Sequence, residues 1–171
     1  LSGLAHGQEY TWWEQRAVGA RNFCNKVWNA ARLVLMNSGD EKIPCQVPLP
    51  ETLAERWILS RCKTTIDAVT TALGDYRFDE AAWAGYSFLW HEFCDWYLEM
   101  AKMDFQAQDA ARRTRALHIS HYLLRTALAL LHPFVPFLTE EIWQHLRAHA
   151  GLAESLSIAA WPEGAELKQD Q

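Results

Sequence analysis

The segment DEAAWAGYSFLWHEFCDWYLEMAKM, residues 79–103, places apolar side chains on two helical stripes, Tyr86/Leu89/Phe93/Met100 and Trp83/Trp90/Tyr97. Two such stripes occupy most of a helix circumference, so neighbouring elements have to cover it on more than one side. The segment is therefore expected to be the central helix of a packed bundle, with the flanking sequence supplying the cover.

Upstream, Leu59, Cys62, Ile66, Val69 and Leu73 recur at bundle-seam spacing within residues 51–73, and Gly74-Asp75 ends the run. The preceding stretch, 38–51, holds Gly39 and the prolines Pro44, Pro48 and Pro50, which deny helical hydrogen bonds and mark a loop. An earlier amphipathic helix spans residues 14–37, with Ala20, Phe23, Val27, Ala30 and Val34 on its apolar face.

Downstream, a polar break at 104–111 precedes Leu117, Leu123, Leu124, Leu128 and Leu131, a broad apolar face that stops at His132-Pro133. Thr139 is expected to cap a fifth, shorter helix, with Glu140 and Glu141 meeting its positive end and Gly151 closing it. Ser157-Ile158 and Trp161-Pro162 read as an extended tail returning to the body, and residues 163–171 as a frayed terminus.

Short connections between long helices make antiparallel neighbours. The expected fold is all-α, an up-down antiparallel bundle of four long helices with a short fifth helix packed across an end, over residues 14–162. Residues 1–13 are expected to be a junction with something upstream, in a piece cut from a longer protein. This topology brings the 38–51 loop and the 104–111 break to one end and the N-terminus to the other.

Composition sets limits on function. A chain of 171 residues, 50% hydrophobic, can bury one genuine core. No stretch approaches the roughly 20 apolar residues that cross a bilayer, so a cytoplasmic protein without a membrane partner is expected. Cys24, Cys45, Cys62 and Cys94 lack Cys-x-x-Cys spacing and read as free thiols. The formal charge of −5 excludes a general electrostatic footprint for nucleic acid, so any RNA contact must come from local clusters.

Two clusters qualify. Asn22, Asn25, Lys26, Asn29 and Arg32 share roughly a third of the first helix's circumference. Mid-helix asparagine costs roughly 0.5 kcal/mol relative to alanine, which points to a partner surface. That surface is either a solvated face or dock for an adjoining domain, or an RNA contact. Around the second break, Lys102, Arg112, Arg113 and Arg115 join Lys42 and the end of the first helix, as a phosphate-contacting patch or as surface charge diluted by Asp104 and Asp109.

Catalytic and metal chemistry find no support. His91 and Cys94 offer two ligands on one helix with nothing to complete a site, and Glu92, Asp95 and Glu99 are expected to pair with basic residues such as Arg56 or Arg61. His118 and His121 read as a packed pair, and no nucleophile constellation occurs. Most of the nine tryptophans are explained by core packing, while exposed ones near the basic end could stack on unpaired bases.

Four segments carry a resemblance: RNFCNKVWNAARLVLMN (21–37), AERWILSR (54–61), YRFDEAAWAGYSFLWHEFCDWYLEMAK (76–102) and LLHPFVPFLTEEIWQHL (130–146), with Trp161-Pro162 following. In order and spacing, over most of 14–162, they resemble the anticodon-binding helical domain of the class I synthetases for branched aliphatic amino acids, specifically the bacterial valyl type. The resemblance implies a tRNA partner, the valine isoacceptor, and a catalytic domain of the same parent chain that uses ATP and Mg²⁺. The His-x-Gly-His and Lys-Met-Ser-Lys-Ser elements that cradle ATP in such enzymes do not occur here, so this chain is expected to need no cofactor and to position RNA without performing the chemistry. Combined with the topology, this puts Arg32, Asn37, Lys42, Lys102, Arg112, Arg113 and Arg115 on the RNA side and Arg21, Asn22, Asn25 and Lys26 toward the catalytic body. The equivalent isoleucyl or leucyl module, and a helical protein-protein scaffold, are the competing readings.

Overall fold

The computed structural model describes residues 14–167, so the expected junction at 1–13 and the last four residues lie outside the described part. Within it the chain forms helices α1 (Glu14–Ser38), α2 (Leu53–Gly74) and α3 (Phe78–Ser87), a π-helical segment (Phe88–Tyr97), then α4 (Leu98–Phe105), α5 (Ala110–Leu131) and α6 (Pro136–Ala150). Single 3₁₀ turns follow at Leu156–Ile158 and Gly164–Glu166, and no strand occurs among the described residues. The all-α bundle expected from the sequence is what forms.

Local chemistry sets the boundaries. Thr52 and Glu55 make a reciprocal capping box at the start of α2: the Glu55 N–H donates to Thr52 Oγ1 at 3.2 Å and the Thr52 N–H to Glu55 Oε2 at 2.9 Å. The α2–α3 reversal passes through Tyr76 at φ 60°, a left-handed conformation that is uncommon for a residue with a side chain. The Asp109 carboxylate caps α5 by accepting the Ala111 N–H at 2.9 Å.

The helix most enclosed by its neighbours is α5, in place of the 79–103 segment. It packs against α1, α2, α3, the π segment, α4 and α6, with Leu117, Ile119, Leu123, Leu124, Leu128 and Leu130 fully buried. Polar letters conceal this in the sequence, and two of them, Ser120 and His121, have their polar atoms satisfied internally. Ser120 Oγ donates to the Ala116 carbonyl at 2.8 Å, and His121 is bonded to Ser38 across to α1.

The 79–103 segment departs from its expected stripes for a reason visible in its backbone. From Phe88 to Tyr97 the helix widens, and the Leu98 N–H donates to the Phe93 carbonyl five residues back. At this wider spacing Phe88, Leu89, Phe93 and Tyr97 stay buried, while Trp96 points out, 65% exposed; Trp83 and Met100 are exposed as well.

Two further expectations are corrected. Thr139 does not cap α6: the helix starts at Pro136, and Thr139 lies inside it, fully buried, its hydroxyl donating to the Val135 carbonyl at 3.0 Å. Proline suits the first helical position because that N–H has no intrahelical partner. Nor does α6 lie across an end; it runs along the flank of α1 and α5, with Trp28 and His145 edge to face at 6.1 Å. Gly151 does close it, at φ 58°.

The tail returns to the body. Glu140 accepts the Leu156 N–H at 2.9 Å, and the Trp161 indole donates to Thr70 Oγ1 on α2 at 2.8 Å. Packing continues past the point expected to fray, through buried Leu167.

Candidate nucleic-acid interface

The two loops meet at one end of the bundle. Thr114 Oγ1 donates to Glu41 at 2.8 Å, joining the start of α5 to the α1–α2 loop, and Arg115 reaches Glu51 and Glu55. The loop is also fastened to α6: the Ile43 N–H donates to the His149 carbonyl at 3.0 Å and Lys42 Nζ to the Ala148 carbonyl at 2.8 Å. Asn37, Lys42, Lys102, Arg112, Arg113 and Arg115 lie in the helix ends and loops of this end, Arg32 lies within the last two turns of α1 beside Trp28 and His145, and the seven are in unequal states.

Four of them are committed to the protein itself. The Arg115 side chain is 17% exposed and paired with both Glu51 and Glu55. Arg112 pairs with Asp104, and Lys102 with Glu99 at 2.6 Å on its own helix. The Asn37 amide donates to the Leu33 carbonyl at 2.8 Å. Lys42 is exposed and bonded only to a carbonyl, which leaves its charge unneutralised. Arg32 and Arg113 are exposed and carry no carboxylate partner among the described residues. An exposed, unpaired guanidinium is the ready partner for a phosphate, because no existing ion pair has to be broken.

The polar face of α1 is continuous along the helix. At 100° per residue, Arg21, Asn25, Trp28, Asn29, Arg32 and Met36 form one exposed stripe, with Asn22 beside it. Asn22, Asn25 and Asn29 make no side-chain hydrogen bond among the described residues, so their amides are available to a partner. Lys26, grouped with them from the sequence, is occupied: it pairs with Asp95 and lies 4.0 Å from the centre of the Trp90 ring. It fastens α1 to the π segment.

Sequence reasoning could not say which tryptophans are exposed; on α2 and the π segment they are Trp57 and Trp96. Arg61 Nε donates to Glu92 at 2.8 Å, fixing the antiparallel register of α2 and the π segment. One turn closer to the loop end stand exposed Trp57 and Trp96, and one turn further Leu53 and Met100, with Met103 beyond. The signal was present in Asp95-Trp96, an indole placed off the buried seam beside an acid. An ordinary helical period could not identify it, because the widened segment shifts the register.

The opposite end differs in character. Tyr76, Phe78, Trp83 and Phe137 are exposed there, Phe137 to 92%, and the cation between them, Arg77, is neutralised by Asp75 and Glu80. Among the described residues no three His, Cys, Asp or Glu side chains converge as a metal site. His118 is half-buried with its ring nitrogen 2.9 Å from the Gln46 carbonyl, and His121 is buried, so both act as packed residues. No helix of the described residues is long and apolar enough to cross a membrane.

Comparison with known proteins adds lineage to this geometry. Residues 55–171 match the family described as the anticodon-binding domain of tRNA ligase. The chain is 43% identical over 171 residues to valine–tRNA ligase of Bacillus thuringiensis subsp. konkukian and 43% identical over 172 residues to that of Stenotrophomonas maltophilia. In both cases 99% of this chain is covered, but it spans only 19% and 18% of those relatives. Its fold is similar to that in a crystal structure of a ternary complex of Agrobacterium radiobacter K84 agnB2 LeuRS, tRNA and LeuAMS. That similarity has a TM-score of 0.69 at 19% identity, over 92% of this chain and 18% of the other.

Proposed function

The chain belongs to the family of anticodon-binding domains of tRNA ligases, and from that premise we propose that it is the module of a valine–tRNA ligase that grips the anticodon arm of valine tRNA. One observation carries the reading at the level of residues: the two ends of the bundle differ in kind. Unpaired Arg113 and exposed Lys42 stand at the loop end, with unpaired Arg32 within the last two turns of α1 and exposed Trp96 partway along the π segment, and an aromatic, cation-poor surface forms the other end. Phosphate contacts position an RNA, while stacking and amide hydrogen bonds discriminate its unpaired bases.

In this reading Arg32, Arg113 and Lys42 contact phosphates, Trp96 stacks on a splayed base, Asn29 offers its amide to a base edge, and Asn25 stays with the face toward the catalytic domain. The Tyr76, Phe78, Trp83 and Phe137 end, with Arg21 and Asn22 near it, seats the bundle against the catalytic domain of the parent chain. ATP and Mg²⁺ are handled by that domain, in the cytoplasm, and the bundle contributes placement of the tRNA. The identity to valine enzymes favours valine over isoleucine or leucine.

A titration of isotope-labelled chain with the anticodon stem-loop of valine tRNA, followed by two-dimensional NMR, tests this reading. The Trp96 indole and the Arg32 and Arg113 signals are expected to shift while those of Trp83 and Phe137 stay in place. Shifts confined to the Tyr76 and Phe137 end would reverse the assignment of the two ends.

A further inference from the structure

Away from this interface, the returning tail covers a cavity of about 380 Å³ against the flank of α5. The volume falls within the range of small-molecule sites, roughly 300–1,000 Å³. Trp143 of α6, Trp161 and Glu163 of the tail, and Tyr122, Arg125 and Thr126 of α5 line it, and short side chains, Ala129 among them, leave the space open.

The polar inventory of the cavity is specific. Both indole N–H groups are already used, Trp143 Nε1 on the Ala153 carbonyl at 3.0 Å and Trp161 Nε1 on Thr70, so the two rings have only their apolar surface to offer. Thr126 is only 5% exposed, yet its hydroxyl has no hydrogen-bond partner among the described residues; no fully occluded side-chain polar atom is unsatisfied, so that hydroxyl must open onto the space it lines. Arg125 lies 4.9 Å from the Tyr122 ring centre and donates to the Cys45 carbonyl, with no carboxylate partner among the described residues. A half-buried cation that pairs with no carboxylate among the described residues, the exposed Glu163 of the lining included, a free hydroxyl and two indoles together suit a planar aromatic ligand carrying an anionic group.

We propose that this cavity is a nucleotide site, in which a base lies against Trp143 and Trp161, Thr126 hydrogen-bonds to it, and Arg125 meets the phosphate. The site stands on the cavity alone and is independent of the anticodon reading. Its occupant is either a free mononucleotide or an unpaired nucleotide of an RNA strand.

Tryptophan fluorescence of the full chain, titrated with AMP, GMP, CMP and UMP and with the matching nucleosides, tests the site. Saturable binding of at least one mononucleotide is expected, weaker for its nucleoside. Thr126→Val should weaken it by about tenfold, the upper range for one neutral hydrogen bond. Ala129→Phe should abolish it by filling the cavity, with the circular dichroism spectrum and melting curve of each variant confirming the fold. A trinucleotide run in parallel separates the sources: tighter binding than the monomer assigns the site to RNA, weaker binding to a free nucleotide. No saturable response to any mononucleotide, or binding that survives Ala129→Phe in a folded variant, overturns the proposal.

Discussion

Arg115 Nε donates to Glu55 Oε1 at 3.1 Å while the other oxygen of the same carboxylate accepts the backbone N–H groups of Glu51 and Thr52 at 2.7 and 2.9 Å. The Glu55 side chain is 4% exposed, so this knot ties the capping box of α2 to α5 in a largely dry setting. Removing one member of a buried pair leaves an uncompensated charge, at a cost of about 3 kcal/mol. Arg115→Ala is therefore expected to lower stability by roughly that amount in urea titration, and to leave RNA affinity unchanged where the variant is still folded. A variant of wild-type stability with weakened RNA binding would place Arg115 on the interface instead.

Arg32 and Arg113 should behave in the opposite way. Being exposed and unpaired, they contribute little to stability, and Arg32→Ala and Arg113→Ala are expected to melt with the wild type. Each should weaken tRNA binding and lower the slope of log affinity against log salt by about 1, the signature of one lost phosphate contact. Unchanged slopes would remove these residues from the phosphate grip.

Trp96→Ala separates stacking from packing. An indole 65% exposed has little burial to lose, so melting should change by less than about 1 kcal/mol. Binding of an anticodon hairpin should fall by about 1–3 kcal/mol, the range for one stacked base. A large loss of stability with unaltered binding would make Trp96 a structural residue.

Acid should loosen the loop end through His121. Its Nε2 lies 2.6 Å from Ser38 Oγ, and because that hydroxyl donates to the Val34 carbonyl at 2.9 Å, the ring nitrogen donates to Ser38. Burial, then the neighbouring His149, Arg125 and His118, push its pKa down to about 4. The folded state thus prefers neutral His121: its stabilising contribution, of order 3 kcal/mol, is complete above the ordinary histidine value near 6.5 and drains as pH falls toward 4. Glu55 acts lower in pH. Burial favours its neutral form, but the Thr52 and Glu51 amides and Arg115 outweigh that and hold its pKa below the usual range, so its contribution is lost only in stronger acid. Chemical denaturation across this range should show a decline that His121→Gln flattens in its upper part; an identical decline in the variant would exclude His121 as the cause.

Thiol chemistry should divide the cysteines by burial. Cys45 is exposed on the loop, whereas desolvation raises the Cys94 thiol to about 12 and Cys62 higher still. A disulfide reagent is expected to modify Cys45 rapidly and Cys62 and Cys94 only after unfolding. Fast modification of Cys62 in the native chain would mean that α2 opens readily.

How much of this was legible in the sequence depended on how local each cause was. Helix positions followed from apolar spacing, and the meeting of the two loops from their short connections, because both arise from neighbours in sequence. The widened register at 88–97 could not be read, since the apolar spacing there fits an ordinary helix, and it decided which aromatic residues face solvent. Nor could the sequence distinguish Arg113 from Arg112 and Arg115, three guanidiniums within four positions. Their different availability is set by Asp104 of α4, Glu51 of the α1–α2 loop and Glu55 of α2, which the fold brings to α5.

The measurement that bears most directly on function is a fluorescence-anisotropy titration of the chain with valine tRNA, the same tRNA with its anticodon swapped, and an unrelated tRNA, each at two salt concentrations. Preference for the valine anticodon, with affinity falling as salt rises, is the expected result. Absence of binding to any of the three, or equal binding that is insensitive to salt, would contradict the assignment of this bundle as an anticodon-reading module.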